Sequence, residues 1–187
     1  SCLKGKIGNK ISIPELTLVD DPHLIGGINS CFMDVEGCLT KPLIIIENGY
    51  FRNFLYHVES AKKDDKLSTG HASRSYSSGV GTRMHNLVWP KGNYNQEELC
   101  TLNNKCLLVT QLEGQAGCNP ISGDISIGVQ GFLYENGRRI QPVENVTVAG
   151  NFFDILFKIQ ATGNRYQPEI SSCFIPALLI EGLSISG

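Results

Sequence analysis

The stretch LIIIENGYF at residues 43–51 decides the fold class. A run of apolar residues leads into an Asn-Gly pair, and further apolar residues follow it. Asn-Gly accepts the positive φ angles of the tight type I′ turn that joins two antiparallel strands. The arrangement recurs at residues 131–143, where ENG again separates two strand-like segments. Two hairpins of this kind predict a sheet that is mainly antiparallel.

Three short segments carry helix signals. Residues 57–66 (HVESAKKDDK) suit a short exposed helix. Asn95, followed three positions later by a glutamate, has the form of a capping box that opens a helix to about residue 104. Asn151 is placed to cap a third helix, with an apolar face, that ends at Gly163.

Short strands are expected elsewhere in the chain. They are predicted within residues 1–22, over 106–112 and 125–134, and as two strands over 174–185 that are separated at Glu181-Gly182. No linker interrupts the pattern. The sequence therefore predicts one α+β domain over residues 1–187, with a predominantly antiparallel β-sheet built from hairpins and two or three short helices.

Composition argues against several classes of protein. The 187 residues are 41% hydrophobic and carry a formal net charge of −2. This near-neutral charge gives no basic surface for nucleic acid or for an acidic membrane. No apolar run approaches the roughly 18 residues that a membrane helix needs. Because the chain begins at Ser1, we expect it to be processed or to be part of a longer protein.

The cysteines and histidines follow no familiar motif. The seven cysteines include no CxxC pair, which favours free thiols, several of them buried, in a cytoplasmic protein. The four histidines lie outside HExxH and i, i+4 patterns, so no metal site is expected within the chain. GxSxG, Walker A and GxGxxG motifs are also absent from the sequence, and no catalytic residue is predicted.

Two glycine-rich loops are the candidate binding segments. Loop 68–86 has few apolar residues, so we expect it to stay outside the core, where its glycines let a ligand approach the backbone. Its arginines suit carboxylates or peptide carbonyl groups. Segment 113–128 is similar, and solvated connecting loops are the alternative for both. The residues expected to hold an extended peptide through its backbone are His71, Arg74, Arg83, Asn86, Asn119 and Asp124.

Several short motifs together resemble the C-terminal domain of the TldD/PmbA family, once called modulator of DNA gyrase. In chain order they are PELTLVDDP at 14–22, DVEG at 34–37, ENG at 47–49, STGHA at 68–72, NPISGD at 119–124, GF at 131–132, ENG at 135–137, PV at 142–143, TVAGNF at 147–152 and PALLI at 176–180. Each motif alone is weak, but their order and spacing cover almost the whole chain.

The resemblance implies an N-terminal α/β domain before this one, and pairing into homodimers or heterodimers that enclose a proteolytic chamber. The TldD branch binds zinc through HExxxH and a late cysteine. HExxxH is absent from residues 1–187, so zinc would belong to the rest of the protein or to its partner. Cys173 lies closer to Pro176 than that role requires, and is expected to be a buried or half-exposed structural thiol.

The motifs STGHA, NPISGD and AGNFFDIL look more like the PmbA (TldE) branch, whose members lack the zinc ligands and act as partner subunits. The resemblance thus implies an inactive domain of a TldE-like subunit in a cytoplasmic zinc peptidase. Its partners would be its own N-terminal domain, a TldD-type chain or a second copy, and a peptide. The alternative is a non-enzymatic dimerisation module, built on the hairpins and residues 151–163. The charge gives no support to DNA binding.

Overall fold

The computed structural model describes residues 3–114, 117–166 and 171–187. The helices in these ranges are α1 (Val58–Lys63), α2 (Gln96–Thr101) and α3 (Phe152–Ile155). The strands are β1 (Leu18–Asp20), β2 (Leu43–Glu47), β3 (Tyr50–Phe51), β4 (Ala72–Ser73), β5 (Gly81–Thr82), β6 (Leu87–Val88), β7 (Lys105–Glu113), β8 (Asp124–Glu135), β9 (Arg138–Asn151), β10 (Ile159–Tyr166), β11 (Cys173–Phe174), β12 (Pro176–Ile180) and β13 (Ser184–Ser186). None of these helices is long and apolar enough to cross a membrane.

Strand β1 lies in the middle of a five-stranded sheet with the order β11-β6-β1-β2-β3. It pairs antiparallel with β2 on one side and with β6 on the other, while β11 joins β6 in parallel. Asp20, the last residue of β1, faces Leu43 across one pairing and Leu87 across the other. Its side chain is fully buried, so the central strand ends in a carboxyl group inside the molecule.

The long β8–β9 hairpin dominates the second sheet, whose order is β13-β9-β8-β7. Its turn has φ angles of 49° at Asn136 and 74° at Gly137. The shorter β2–β3 hairpin repeats this geometry, with 50° at Asn48 and 85° at Gly49. Both hairpins are confirmed. So is the α+β class, since antiparallel pairing prevails and the described helices are short.

The main core lies under the first sheet. It joins β2, β3 and the residue after β6 to the segment before β1, to the residue after α3 and to the start of β10, through the buried side chains of Ile11, Leu16, Ile46, Phe51, Trp89, Leu156 and Ile159. A smaller cluster of Leu99, Ala161 and Leu179 packs α2 against the two-stranded sheet of β10 and β12.

Two of the three helix predictions are confirmed. Helix α1 lies within residues 57–66. Helix α2 begins after Asn95, whose Oδ1 accepts from the Glu98 N–H at 2.9 Å while the glutamate carboxylate accepts from the Asn95 N–H at 2.7 Å. This reciprocal pair is the predicted capping box.

The third helix prediction is wrong beyond Ile155. Asn151 does cap α3, accepting from the Phe153 N–H at 3.0 Å, but the chain then enters strand β10 at Ile159. Gly163 lies inside this strand rather than ending a helix. Burial alternates from Ile159 to Gly163, and pairing with β12 outweighs the helical spacing of the preceding apolar residues.

At the two ends of the chain the strand predictions differ in outcome. Among the described residues up to position 22, the one strand is β1, so the expectation of several short strands there is wrong. Ile11 and Leu16 are nevertheless buried, on irregular backbone. In the tail, β12 and β13 flank the predicted break at Glu181-Gly182, and β11 precedes them.

Candidate functional site

A buried carboxylate at the end of β1 organises the loop that leads from β4 to β6. Oδ1 of Asp20 accepts from the backbone N–H of His85 at 2.8 Å. Oδ2 lies 2.7 Å from Nε2 of His71 and 2.8 Å from Nδ1 of His85. Burial alone would raise the pKa of Asp20, but hydrogen bonds from the two histidines outweigh it and hold that pKa well below its usual range.

The two histidines extend this network. Nδ1 of His71 lies 2.8 Å from the carbonyl oxygen of Thr69, and the two imidazole rings are 4.7 Å apart between centroids. Both histidines and Asn86 are buried. The expectation that loop 68–86 stays outside the core is therefore wrong at the two ends of the loop, because hydrogen bonds to buried polar partners take the place of apolar contacts there. Residues 74–84, between these ends, are exposed as expected.

Asn86 fixes the opposite side of the network. Its amide donates to the Asp21 carbonyl at 2.8 Å and to Oγ of Ser30 at 3.0 Å. Its Oδ1 accepts from the Asn29 N–H at 3.3 Å. A side chain on Gly27 would collide with this amide at 2.6 Å. The asparagine thus holds segment 21–30 against the start of β6.

Asp34 joins a third segment to the same region. Its Oδ1 accepts from the N–H groups of Glu36 at 3.0 Å and Cys38 at 2.9 Å. Its Oδ2 accepts from the Ala72 N–H at 2.9 Å, in β4. One carboxylate therefore shapes the 34–38 turn and anchors it to the strand that follows His71.

A cleft of about 390 Å³ opens between segment 28–35 and the β4–β5 hairpin. Arg74 and Arg83 line it and are exposed. Neither arginine forms an ion pair within the described ranges. The side chains that line it also include Ile28, Cys31, Met33, Asp34 and His85. The cleft thus combines guanidinium groups, an apolar wall and the edge of the Asp20 network.

The structure brings four of the six sequence-predicted residues together. Arg74 and Arg83 line the cleft, while His71 and Asn86 lie buried behind it. Their contact with a peptide stays a prediction, and the buried pair is placed to position the loop rather than to touch a ligand.

The remaining two residues, Asn119 and Asp124, lie in a separate turn that does not line this cleft. Asn119 Oδ1 accepts from the N–H groups of Ile121 and Ser122 at 2.9 and 3.2 Å. Asp124 accepts from Ser122 Oγ at 2.6 Å and from the Asn151 amide at 2.9 Å. Both polar side chains thus close the turn that enters β8.

Sequence reasoning did not select Asp20 or Asp34 as site residues. For Asp20 the one available signal is a carboxylate placed at the end of an apolar strand segment. Cys173, expected to be buried or half-exposed, is exposed; it lies in β11, the edge strand of the first sheet, which among the described strands pairs with β6 alone.

Comparison with known proteins identifies the family. The model of the PmbA/TldA metallopeptidase C-terminal domain matches residues 1–187. The chain belongs to the TldD/PmbA family. A metalloprotease PmbA from Escherichia coli O157:H7 is 33% identical over 184 residues, covering 96% of the chain and 39% of that protein. The chain spans 36–39% of the length of the first curated relatives it matches.

Solved structures of the TldD/PmbA family share the fold. A proposed modulator of a DNA gyrase from Thermotoga maritima superposes with a TM-score of 0.90 at 33% identity, covering 100% of this chain and 42% of that one. TldE from Thermococcus kodakarensis gives 0.87 at 28% identity, covering 99% and 42%. These matches extend over nearly the whole chain, so the resemblance read from the motifs is confirmed.

Proposed function

We propose that the chain is the C-terminal domain of a TldE-like subunit in a zinc metallopeptidase assembly, where it lines the chamber that holds unfolded peptides. The similarity to the metalloprotease PmbA and to TldE supports this role. HExxxH does not occur in residues 1–187. The hydrolytic zinc would therefore lie outside this chain, in the rest of the protein or in a TldD-type partner.

The observation that carries the proposal is the cleft beside β4 and β5. Arg74 and Arg83 present guanidinium groups there without a carboxylate partner among the described residues. Peptide carbonyl oxygens and C-terminal carboxylates are their natural acceptors. Met33 and Val35 supply an apolar wall for peptide side chains. A rigid base behind the arginines reduces the entropy lost when a peptide binds.

The test is peptide hydrolysis by the full-length protein together with its partner subunit. Arg74→Ala and Arg83→Ala should each lower kcat/KM about tenfold, mainly through KM, because a hydrogen bond to a charged group contributes about 1.5–3 kcal/mol. Arg138→Ala, an exposed change at the β8–β9 turn, serves as the matched control. Unchanged kcat/KM in both cleft variants would refute the peptide-binding role.

We also propose that the domain supports dimerisation through an apolar ridge formed by the side chains of segment 25–39. Ile25, Phe32 and Leu39 are 99%, 79% and 77% exposed, and apolar side chains this exposed on adjacent turns are typical of interfaces. The ridge would contact a partner subunit, either a TldD-type chain or a second copy. Free thiols agree with a cytoplasmic location for the assembly.

Sedimentation velocity of the full-length assembly tests the interface. Phe32→Ser with Leu39→Ser should shift the assembly towards single subunits, whereas Ile140→Ser, an exposed change on β9, should leave it intact. An unchanged sedimentation coefficient in the double variant would rule out the ridge as the contact surface.

A further inference from the structure

Asp20, His71 and His85 form the one group of histidine, cysteine and acidic side chains, among the described residues, that is compact enough to hold a metal ion. One ligand atom from each lies within 4.8 Å of the other two. All three residues are buried, and they come from positions 20, 71 and 85, so no local spacing motif reveals them.

His71 is placed to act as a metal ligand. Its Nδ1 lies 2.8 Å from the Thr69 carbonyl oxygen and 2.9 Å from Thr69 Oγ1, and its Nε2 lies 2.7 Å from Asp20 Oδ2. In the tautomer whose Nδ1–H donates to the carbonyl, the lone pair of Nε2 points at the carboxylate, where a metal ion would contact both groups. A histidine whose other nitrogen donates to a backbone carbonyl is the usual arrangement of a metal ligand.

The Asp20 carboxylate is also positioned to act as a metal ligand. The His85 N–H holds Oδ1 at 2.8 Å, which fixes the plane of the group and leaves Oδ2 directed at both imidazoles. The second imidazole approaches Oδ2 at 2.8 Å through Nδ1. Two imidazole nitrogens thus converge on one carboxylate oxygen among buried residues.

We propose that Asp20 Oδ2, His71 Nε2 and His85 Nδ1 bind a divalent transition-metal ion of the zinc type. Two imidazoles and a carboxylate match the preference of such ions for nitrogen and oxygen ligands. Binding requires that both ligating nitrogens be unprotonated, so any protons that they carry leave to solvent. Bonds of about 2.0–2.1 Å place tetrahedral ligand atoms roughly 3.3 Å apart, so the side chains must separate by about half an ångström.

Three protein ligands leave a coordination position open. Asp20 and His71 are wholly enclosed, whereas the His85 side chain is 9% exposed and lines the cleft. The open position therefore faces the cleft, on the side of Arg74 and Arg83. Metal binding to this site does not depend on the proposed peptidase role.

The experiment is a Co²⁺ titration of the full-length protein after treatment with a chelator, followed by visible absorption and calorimetry. The wild type should bind one equivalent more than His85→Gln, and the lost band should lack thiolate-to-cobalt character. His71→Gln should behave like His85→Gln. His23→Gln, an exposed histidine outside the cluster, should bind like the wild type.

Circular dichroism and the Tm establish that each variant is folded. His85→Gln is the more robust variant because that side chain reaches the cleft edge, and Zn²⁺ X-ray absorption of the wild type gives a second measurement that needs no variant. Equal cobalt binding by wild type and His85→Gln, or a zinc spectrum dominated by sulfur, would overturn the proposal. Peptide hydrolysis is not part of this readout, so failure here is distinct from failure of the peptide-binding role.

Discussion

Asp20 and His85 are joined twice, once through the backbone and once through the ring. The backbone N–H of His85 donates to Oδ1 of Asp20 at 2.8 Å, and Nδ1 of the His85 ring lies 2.8 Å from Oδ2 of Asp20. The residues are 65 positions apart in the chain. This paired contact fixes the end of the loop to the central strand of the first sheet, and the first prediction concerns its contribution to stability.

Asp20→Asn should lower the free energy of unfolding by about 3–5 kcal/mol, since it removes a buried charge from a hydrogen-bonded group and leaves a donor amide facing other donors. Urea denaturation of the wild type and the variant at neutral pH measures this. Asp65→Asn, an exposed change after α1, is the matched control. A loss below about 1 kcal/mol would mean that the network contributes little to the fold.

A second prediction concerns the space available for a side chain in the turn between β2 and β3. Gly49 and Gly8 both have positive φ angles, 85° and 84°. An added Cβ on Gly49 would lie 2.8 Å from the Ile13 carbonyl oxygen, whereas Gly8 has open space. Gly49→Ala should therefore cost roughly 1–3 kcal/mol more than Gly8→Ala. Equal urea midpoints for the two variants would contradict the close approach.

A third prediction concerns the different reactivity of buried and exposed cysteines. Burial in α2, together with the neighbouring Cys106, raises the pKa of the Cys100 thiol to about 11. At pH 8 only about one in a thousand of these groups is then a thiolate. Iodoacetamide should label the exposed Cys118 and Cys173 in the native protein and spare Cys100. Labelling mapped by mass spectrometry checks this, and guanidinium should make Cys100 react like the rest.

A fourth prediction concerns the titration of Asp124, at the turn that enters β8. Hydrogen bonds from Ser122 and Asn151 hold the pKa of Asp124 below its ordinary value. A carboxyl with a lowered folded pKa stabilises the fold above its unfolded pKa, and this contribution is lost as pH falls through the folded pKa. In a carbon-detected NMR titration, Ser122→Ala should raise the pKa of Asp124. The same variant should leave the Glu59 titration unchanged, and an unmoved Asp124 would refute the assignment.

Local sequence signals predicted the parts of the fold that local chemistry controls. Asn48-Gly49 and Asn136-Gly137 specify their turns through backbone conformation alone, and Asn95 specifies its helix through its own side chain. The helix prediction over residues 156–163 failed because the partner strand, β12, lies some twenty positions later in the chain. The spacing of apolar residues along one segment carries no information about pairing at that distance. Long-range pairing decided that segment.

The candidate site was predictable only in part, for the same reason. Glycine and arginine in loop 68–86 indicated a binding segment, and two of its arginines do line the cleft. The interpretation of that loop as wholly external ignored Asp20, which is distant in sequence. The sequence around a histidine in a polar loop does not reveal that its ring contacts a buried carboxylate on a strand distant in the chain.

His71 and His85 both contact the Asp20 carboxylate, so the thirteen-residue segment between them is closed at its base without a covalent link. Asp20, His71 and His85 thus form a clasp. The clasp fixes the loop ends independently of what lies at the tip, near Tyr76. Because closure entropy grows only slowly with loop length, the tip can lengthen or shorten at little thermodynamic cost. Arg74 and Arg83, each within three positions of the clasp, would therefore keep their places at the cleft if the tip were lengthened or shortened.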